Sequence, residues 1–499
     1  MGDYLDSVRS FCSRGGSGGA GFCCTGPFSA ASPGKRWVLA TVSAFFFVSL
    51  CISIFIYWND VYDIAGNYFF KASPPPPLPP PPPRTPPRPT IKIDFPFNCS
   101  KRDPAITCPK FNQSVTSRTD KSSAVTCPQY TRWIQKDLRP WKMTGITRDM
   151  VDRARDFAHF RVVIVKGKVY VERYQNAFET RDVFTIWGIV QLLRLYPGKV
   201  PDLDLMFCCE DLPAILKREH SNVKHLPPVF HYCGDDKSYD IVFPDWSFWG
   251  WLEVNIKPWR IMLEALKESN NKTKWKDREP YAYWRGNPYV SARRGELMRC
   301  NLSEKQEWNA RLYKEVKISY LLDWGVERRE GFQHSNLEDQ CTHRYKIYIE
   351  GRSWSVSEKY ILACNSMTLL VDPNYYDFFT RSLVSKTHYW PIRTSHMCTD
   401  IKSAVDWGNN HTDKAQAIAE TASKFIQEDL KMEFVYDYMF HLLSEYGKLF
   451  KYQPTIPPGA VEICSETTLA CPGDGLWRKF MVDSMVTSPK TTLPCTIPS

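Results

Sequence analysis

The chain has 499 residues, 43% of them hydrophobic and 14% aromatic, and carries a formal charge of +10. That length allows two or three domains with a sizeable core, and that composition excludes a largely disordered chain. The charge is mild and no long Lys/Arg run occurs, so nothing points to a nucleic-acid partner.

Residues 1–36 are Gly- and Ser-rich and read as a flexible tail. Next comes Trp37 to Trp58, "WVLATVSAFFFVSLCISIFIYW", 22 residues without a charge. As a helix it spans about 32 Å, close to the hydrocarbon thickness, with a Trp for each interface. Lys35 and Arg36 precede it and Asp60 and Asp63 follow. The positive-inside rule therefore leaves the tail cytoplasmic and sends the rest into a lumen. The span is too long and too far from the N-terminus for a cleaved signal peptide, so a signal anchor is expected.

Residues 59–125 read as a luminal stalk. Pro74 to Pro89 holds 12 prolines in 16 residues. Polyproline II would extend it about 50 Å at 3.1 Å per residue. Five sequons, at Asn98, Asn112, Asn271, Asn301 and Asn410, all follow the span. So do 13 of the 17 cysteines, which suits an oxidising lumen and disulfides, with at least one thiol left over.

From about Thr126 the chain alternates strand-like and helix-like segments. Phe160 to Tyr174 is a hairpin centred on Gly167. Thr185 to Tyr196 has helical spacing and Leu203 to Cys209 is a short buried strand. The alternation returns at Lys346–Ile349, Glu358–Cys364 and Met367–Val371, and Ala415 to Tyr452 is a long helical stretch broken once or twice. This rhythm predicts an α/β fold with parallel sheet.

Beyond the Gly- and Ser-rich tail, nucleotide-binding glycine loops, zincin and nucleophile-elbow motifs and C-x-x-C pairs are all missing. What stands out instead is "FPDWSFWGW" (Phe243–Trp251), "WKDREPYAYWRGNPY" (Trp275–Tyr289) with Arg293 and Arg294, and "HRYKIYIEGRSWSVSEK" (His343–Lys359). Aromatics mixed with acids suit sugars. Arginine and lysine near glycine turns suit phosphate, which guanidinium binds in bidentate fashion.

These blocks, with "DLRPWKMTGIT" from Asp137, "DLMFCCEDLP" from Asp204, "AYWRGNP", "RYKIYIEG", "SEKYILACNSMTLLV", "HYWPI" and the helical run from Ala415, resemble glycosyltransferase family 90. That group includes Rumi-type protein O-glucosyltransferases and capsule-type xylosyltransferases, and the wording of the blocks is closest to its plant branch. The resemblance implies a GT-B-like α/β fold of two Rossmann-like lobes after the transmembrane helix and Pro-rich stalk. The first lobe would be 126–255, the donor lobe with returning helices 256–452, and a C-terminal extension 453–499. It implies inverting transfer from UDP-glucose or UDP-xylose, with no metal or other cofactor. By position, Asp211 is the general base. Glu210 stands where Rumi-type enzymes have Arg, and its role is open. Arg285, Gly286, Asn287 and Arg293 fall in one donor-contacting loop, and Gly351, Ser355, Ser357 and Lys359 in another. Ser357 replaces an arginine of Rumi-type members, and Arg352 and Arg344 are the nearest substitutes. Asp245, Trp246 and Phe248 are expected at the acceptor.

Asp202-Leu203-Asp204 spells D-x-D, a metal motif in other sugar transferases. Here it precedes the apolar run, so its acids belong at the opposite strand end from Asp211. The overall expectation is a single-pass type II Golgi enzyme, with the ER as the other compartment. Its partners would be a UDP-sugar, a protein or polysaccharide acceptor and the bilayer at residues 37–58. The alternatives are a catalytically silent carbohydrate-binding or scaffold protein and a glycoside hydrolase, which needs two facing carboxylates.

Overall fold

The computed structural model describes Cys108 and residues 125–220, 222–314, 336–471 and 475–498. The expected tail, membrane span and stalk, apart from Cys108 and Val125, lie outside the described residues, as do the sequons at Asn98 and Asn112. Among the described residues no helix is long and apolar enough to cross a membrane.

The first sheet starts with the expected hairpin, β1 (Phe160–Val165) and β2 (Lys168–Arg173). Its turn residues, Lys166 and Gly167, both have positive φ, 50° and 73°, as a two-residue type I′ turn requires. β3 (Leu203–Phe207) runs antiparallel along the other edge of β1, and β4 (Phe230–His231) and β5 (Ile241–Val242) follow in parallel. All five residues of β3 are buried, which explains why it is apolar apart from Asp204.

The second sheet holds β6 (Glu279–Gly286), β7 (Ala310–Lys314), β8 (His343–Tyr348), β9 (Met367–Val371) and β10 (Trp390–Ile392) in the order β10-β9-β8-β6-β7. Every pair in it is parallel. β11 (Val461–Ile463) then returns to the first sheet, antiparallel to β2. The expectation of parallel sheet thus fits the second sheet, whereas the first is mixed. A two-residue turn can join only antiparallel neighbours, and the edge strand β11 pairs antiparallel as well.

The helices, in chain order, are α1 (Trp133–Asp137), α2 (Arg148–Ala154), α3 (Arg181–Leu195), α4 (Trp259–Lys272), α5 (Ala292–Leu297), α6 (Ser357–Ala363), α7 (Met397–Asn410), α8 (Thr412–Asp429), α9 (Met432–Gly447), α10 (Ser465–Leu469) and α11 (Gly475–Asp483). The long helical stretch from Ala415 is α8 and α9, separated at Leu430 and Lys431, where ψ changes from 22° to 151°. One core joins β1–β5 to α3 and α9, and a second joins β6–β9 to α7 and the start of α8. α9 closes over the first sheet. Tyr446 donates to the Asp204 carbonyl (3.2 Å) and Tyr438 to the Val242 carbonyl (3.1 Å). Gly188 in α3 admits the Trp249 ring, which would lie 2.4 Å from an added Cβ.

Four disulfides join described residues: Cys108–Cys464, Cys127–Cys495, Cys300–Cys398 and Cys341–Cys364. Cys471 is disulfide-bonded too, while Cys208, Cys209 and Cys233 are buried free thiols. Asn271 and Asn410 are exposed. The Asn301 amide bridges both backbone groups of Leu312, at 2.9 and 3.1 Å.

Candidate active site

β3 ends inside the first core and the chain turns sharply at Cys208–Pro213. At this turn Asp211 is 39% exposed and its Oδ1 lies 3.0 Å from Arg181 Nη1. Arg181, at the start of α3, is itself buried. It also donates to the Cys209 carbonyl (2.8 Å) and lies over the rings of Trp246 (4.6 Å) and Phe178 (5.1 Å). The guanidinium therefore fixes the direction of the carboxylate. The Asp211 carbonyl accepts from Cys233 Sγ (3.4 Å) and from Ser353 Oγ in the loop after β8 of the second sheet. The turn is thereby tied to the second half of the molecule.

Beneath Arg181 lies an aromatic nest. Trp246 meets Tyr232 at 5.0 Å, Trp251 at 5.1 Å and Trp354 at 6.2 Å between ring centroids. Arg181 Nε, Trp246 Nε1 and Trp354 Nε1 have no hydrogen-bond partner among the described residues.

Glu210 points elsewhere. Its side chain is 71% exposed and its Oε1 lies 3.5 Å from His159 Nε2. Burial holds His159 below its ordinary pKa despite that acid. Glu210 and His159 help line a cavity of about 360 Å³ that also involves Gln175, Leu212 and, from the second half, Arg352.

The D-x-D acids are occupied. Asp204 is fully buried and bidentate to Arg161, with both distances 2.7 Å, and Tyr452 donates to it at 2.9 Å. Asp202 accepts from the Lys166 backbone (2.7 Å) and from Gln453 (3.0 Å). Both sit at the beginning of β3, away from Asp211. Among the described residues the one His/Cys/acid group with ligand spacing is Cys127, His441 and Cys495. Its two sulfurs form a disulfide.

The donor-loop residues gather where β6 and β8 end. Arg285 is exposed at the end of β6, and Gly286 and Asn287 follow half-buried. Arg293 meets Glu350 (2.8 Å), Thr394 (2.7 Å) and the Asp372 carbonyl. Its charge is thus balanced by a carboxylate. Arg294 has none. It donates to the carbonyls of Glu350 (3.1 Å), Ile349 (3.2 Å) and Asn287 (3.3 Å) and to Ser355 Oγ (3.3 Å). Burial lowers its pKa to about 10, so it stays a cation at neutral pH. An added Cβ on Gly351 would lie 3.6 Å from its Nη2. Ser355 in turn bonds Ser357 (2.9 Å). Arg294 thus draws Asn287, Gly351, Ser355 and Ser357 together, although sequence reasoning selected its neighbour.

Lys359 is buried in α6 and pairs across the molecule with Asp245 (3.2 Å) and Ser247 (2.8 Å). Burial opposes its charge, but the adjacent Asp245 carboxylate outweighs it and raises the Lys359 pKa. Asp245, Trp246 and Phe248 are all buried, so they offer an acceptor no open surface in this structure. These four residues form a seam between the two halves. Neither Phe178, against Arg181, nor Glu179, whose charge interacts with that of Asp211, carries a sequence signal of its own.

Residues 122–499 match the model of glycosyl transferase family 90. The chain belongs to glycosyl transferase family 90. Its family 90 relatives include an O-glucosyltransferase rumi homolog of Aedes aegypti, 26% identical over 70% of this chain and 86% of that protein. Protein O-glucosyltransferase 1 of Homo sapiens is 26% identical over 68% of this chain and 85% of its own. O-glucosyltransferase rumi of Drosophila melanogaster is 25% identical over 66% and 78%. The family 90 match covers both sheets, the Asp211 turn and the Arg294 cluster.

Proposed function

We propose that the chain is an inverting glycosyltransferase. It would move glucose or xylose from a UDP-sugar to a hydroxyl of a protein or glycan, with Asp211 as general base and no bound metal. The single observation that carries the residue assignment is Asp211 itself: a carboxylate reachable from solvent, aimed by a buried arginine, at the carboxyl end of a buried strand. The names of the relatives favour glucose. We read the two sheets as the two Rossmann-like lobes of a GT-B arrangement, with UDP against the second. Residues 37–58 would anchor the protein in the Golgi membrane, and the disulfides favour its lumen.

Asp211 takes the proton of the acceptor hydroxyl as that oxygen bonds to C1 of the sugar. The C1–O bond to UDP breaks on the opposite face, and its electron pair stays on the diphosphate. A positioned base contributes ~10²- to 10⁴-fold. Arg294, with Arg285 and Arg293 nearby, would stabilise the charge growing on the diphosphate. The Asp204–Arg161 and Asp202–Lys166 contacts support metal independence, because they use up the acids that a D-x-D site would need.

The test is UDP release by the purified protein with UDP-glucose and with UDP-xylose, in EDTA. Wild type is expected to turn over one of them, and Asp211→Asn to lose at least about 100-fold while binding UDP within a few-fold. Wild-type-like turnover by Asp211→Asn would sink the base. Activity that disappears in EDTA and returns with Mn²⁺ would sink metal independence.

A further inference from the structure

Phe178-Glu179-Thr180-Arg181, the run leading into α3, reaches Asp211 through Arg181, and the charges of Glu179 and Asp211 interact. Arg181 holds the Asp211 carboxylate, and Thr180 Oγ1 donates to Glu253 Oε2 at 2.8 Å. Phe178 is 62% exposed, its ring lying against the Arg181 guanidinium. Glu179 is the unusual one. It has φ 54°, in the left-handed region that a residue with a Cβ seldom occupies. Its Oε2 accepts from Trp251 Nε1 at 2.6 Å, while Oε1 has no hydrogen bond to a described residue.

Strain of this kind persists where the surroundings over-determine it, and it concentrates at functional sites. Here the surroundings are Trp251 and Glu253, which follow Gly250 at φ 134°. Helix capping does not account for it, since no side chain caps α3. Burial raises the Glu179 carboxyl to about 7. The Trp251 bond and Arg181 oppose that rise, and the negative charges of Glu253 and Asp211 add to it. Such a carboxyl can donate or accept a hydrogen bond near neutral pH.

Resting on the transferase reading, we propose that Phe178 and Glu179 form the acceptor subsite and that the acceptor is a neutral saccharide. One face of a sugar ring lies on Phe178, a hydroxyl next to the attacking one meets Glu179, and the attacking hydroxyl meets Asp211. Trp251 positions Glu179. A hydroxyl both donates and accepts, which matches a carboxyl able to do either. A serine side chain has one hydroxyl, already taken by Asp211, whereas a sugar ring presents further hydroxyls beside the attacking one. Three acids, Asp211, Glu179 and Glu253, stand against one guanidinium, Arg181, which disfavours an acidic sugar or a phosphate.

The experiment uses the purified full-length protein. Its probes are cello-, xylo-, manno- and galactotetraose and a small disulfide-bonded domain with an exposed serine. Binding is read by saturation-transfer NMR and transfer by product formation. At least one tetraose is expected to bind and to be glycosylated. Phe178→Ala and Glu179→Ala should each raise its KM at least tenfold while donor KM stays within twofold, and Phe178→Tyr should restore it. Saturation transfer to no tetraose, glycosylation of the serine domain alone, or an unchanged acceptor KM in both alanine variants would each overturn the subsite. A tetraose that binds through Glu179 on a protein releasing no UDP would overturn the transferase reading and leave the subsite standing. UDP release without saccharide binding would do the reverse.

Discussion

Arg293 and Arg294 are adjacent in sequence and opposite in circumstance. Arg293 faces the Glu350 carboxylate, whereas Arg294 donates to carbonyls and one hydroxyl, lies over the Trp284 ring and meets no carboxylate among the described residues. A guanidinium without a counter-ion, beside a glycine and two serines, is the better place for a diphosphate. Arg294→Ala is therefore expected to weaken UDP binding by roughly 10- to 100-fold, the worth of a charge-assisted hydrogen bond or two. Arg294→Lys should recover little, because one ammonium cannot reproduce the planar fork. Titration calorimetry with UDP checks both, and unchanged affinity in Arg294→Ala would remove it from the donor site. Sequence alone cannot separate the two arginines. The distinction depends on which side of α5 faces the loop after β8, a tertiary matter. The D-x-D acids were more legible, because their place ahead of an apolar run set them at the strand's beginning.

At the scale of elements, long periodic segments were readable and short ones were not. The hairpin, α3, β3 and the β8–α6–β9 unit carry their period over five or more residues. β4 and β5 have two residues each and β11 has three, too few for any period to show. They exist because neighbouring strands and the core above them supply what their own sequence lacks. The same explains the mixed first sheet. β11 lies nearly 300 residues after β2, and no local pattern announces that pairing. The Cys127–Cys495 bridge and the Cys127–Thr496 backbone bond (2.8 Å) hold the same terminal segment at the start of the described body. The acceptor-side run Phe178–Arg181 was illegible for a related reason. Its meaning lies in a backbone angle and in Trp251, 72 positions from Glu179.

Across the whole molecule, the two halves meet at a buried charged seam. Lys359 and Asp245 face each other there, with Ser247, Tyr360, Asp377 and Glu358 around them. Removing one partner leaves the other charge buried and unpaired, which costs about 3–5 kcal/mol. Lys359→Met should accordingly lower the thermal midpoint by several degrees, and an unchanged midpoint would mean that the seam contributes nothing to holding the halves together.

The same seam holds more acid than base. Burial lifts Asp377 to about 7 and Glu358 well above its ordinary value, each worsened by negative neighbours. A carboxyl whose folded pKa is raised is most favourable while protonated. Its contribution is complete below the unfolded value near 4 and is lost as pH climbs through about 7. Asparagine at 377 does not titrate, and its amide oxygen can still accept from the Phe379 and Thr380 backbone as Asp377 Oδ1 does, both at 3.0 Å. Relative to wild type, Asp377→Asn should therefore gain stability as pH rises from 5 to 8. Buried His231 and Lys346 are common to both proteins and cancel in that difference, whereas loss of the Asp377 charge eases ionisation of Glu358 and adds to the gain. Thermal midpoints of the pair at the two pH values decide it: a difference that stays constant, or that shrinks at pH 8, would show that Asp377 is already ionised at pH 5 in the folded protein.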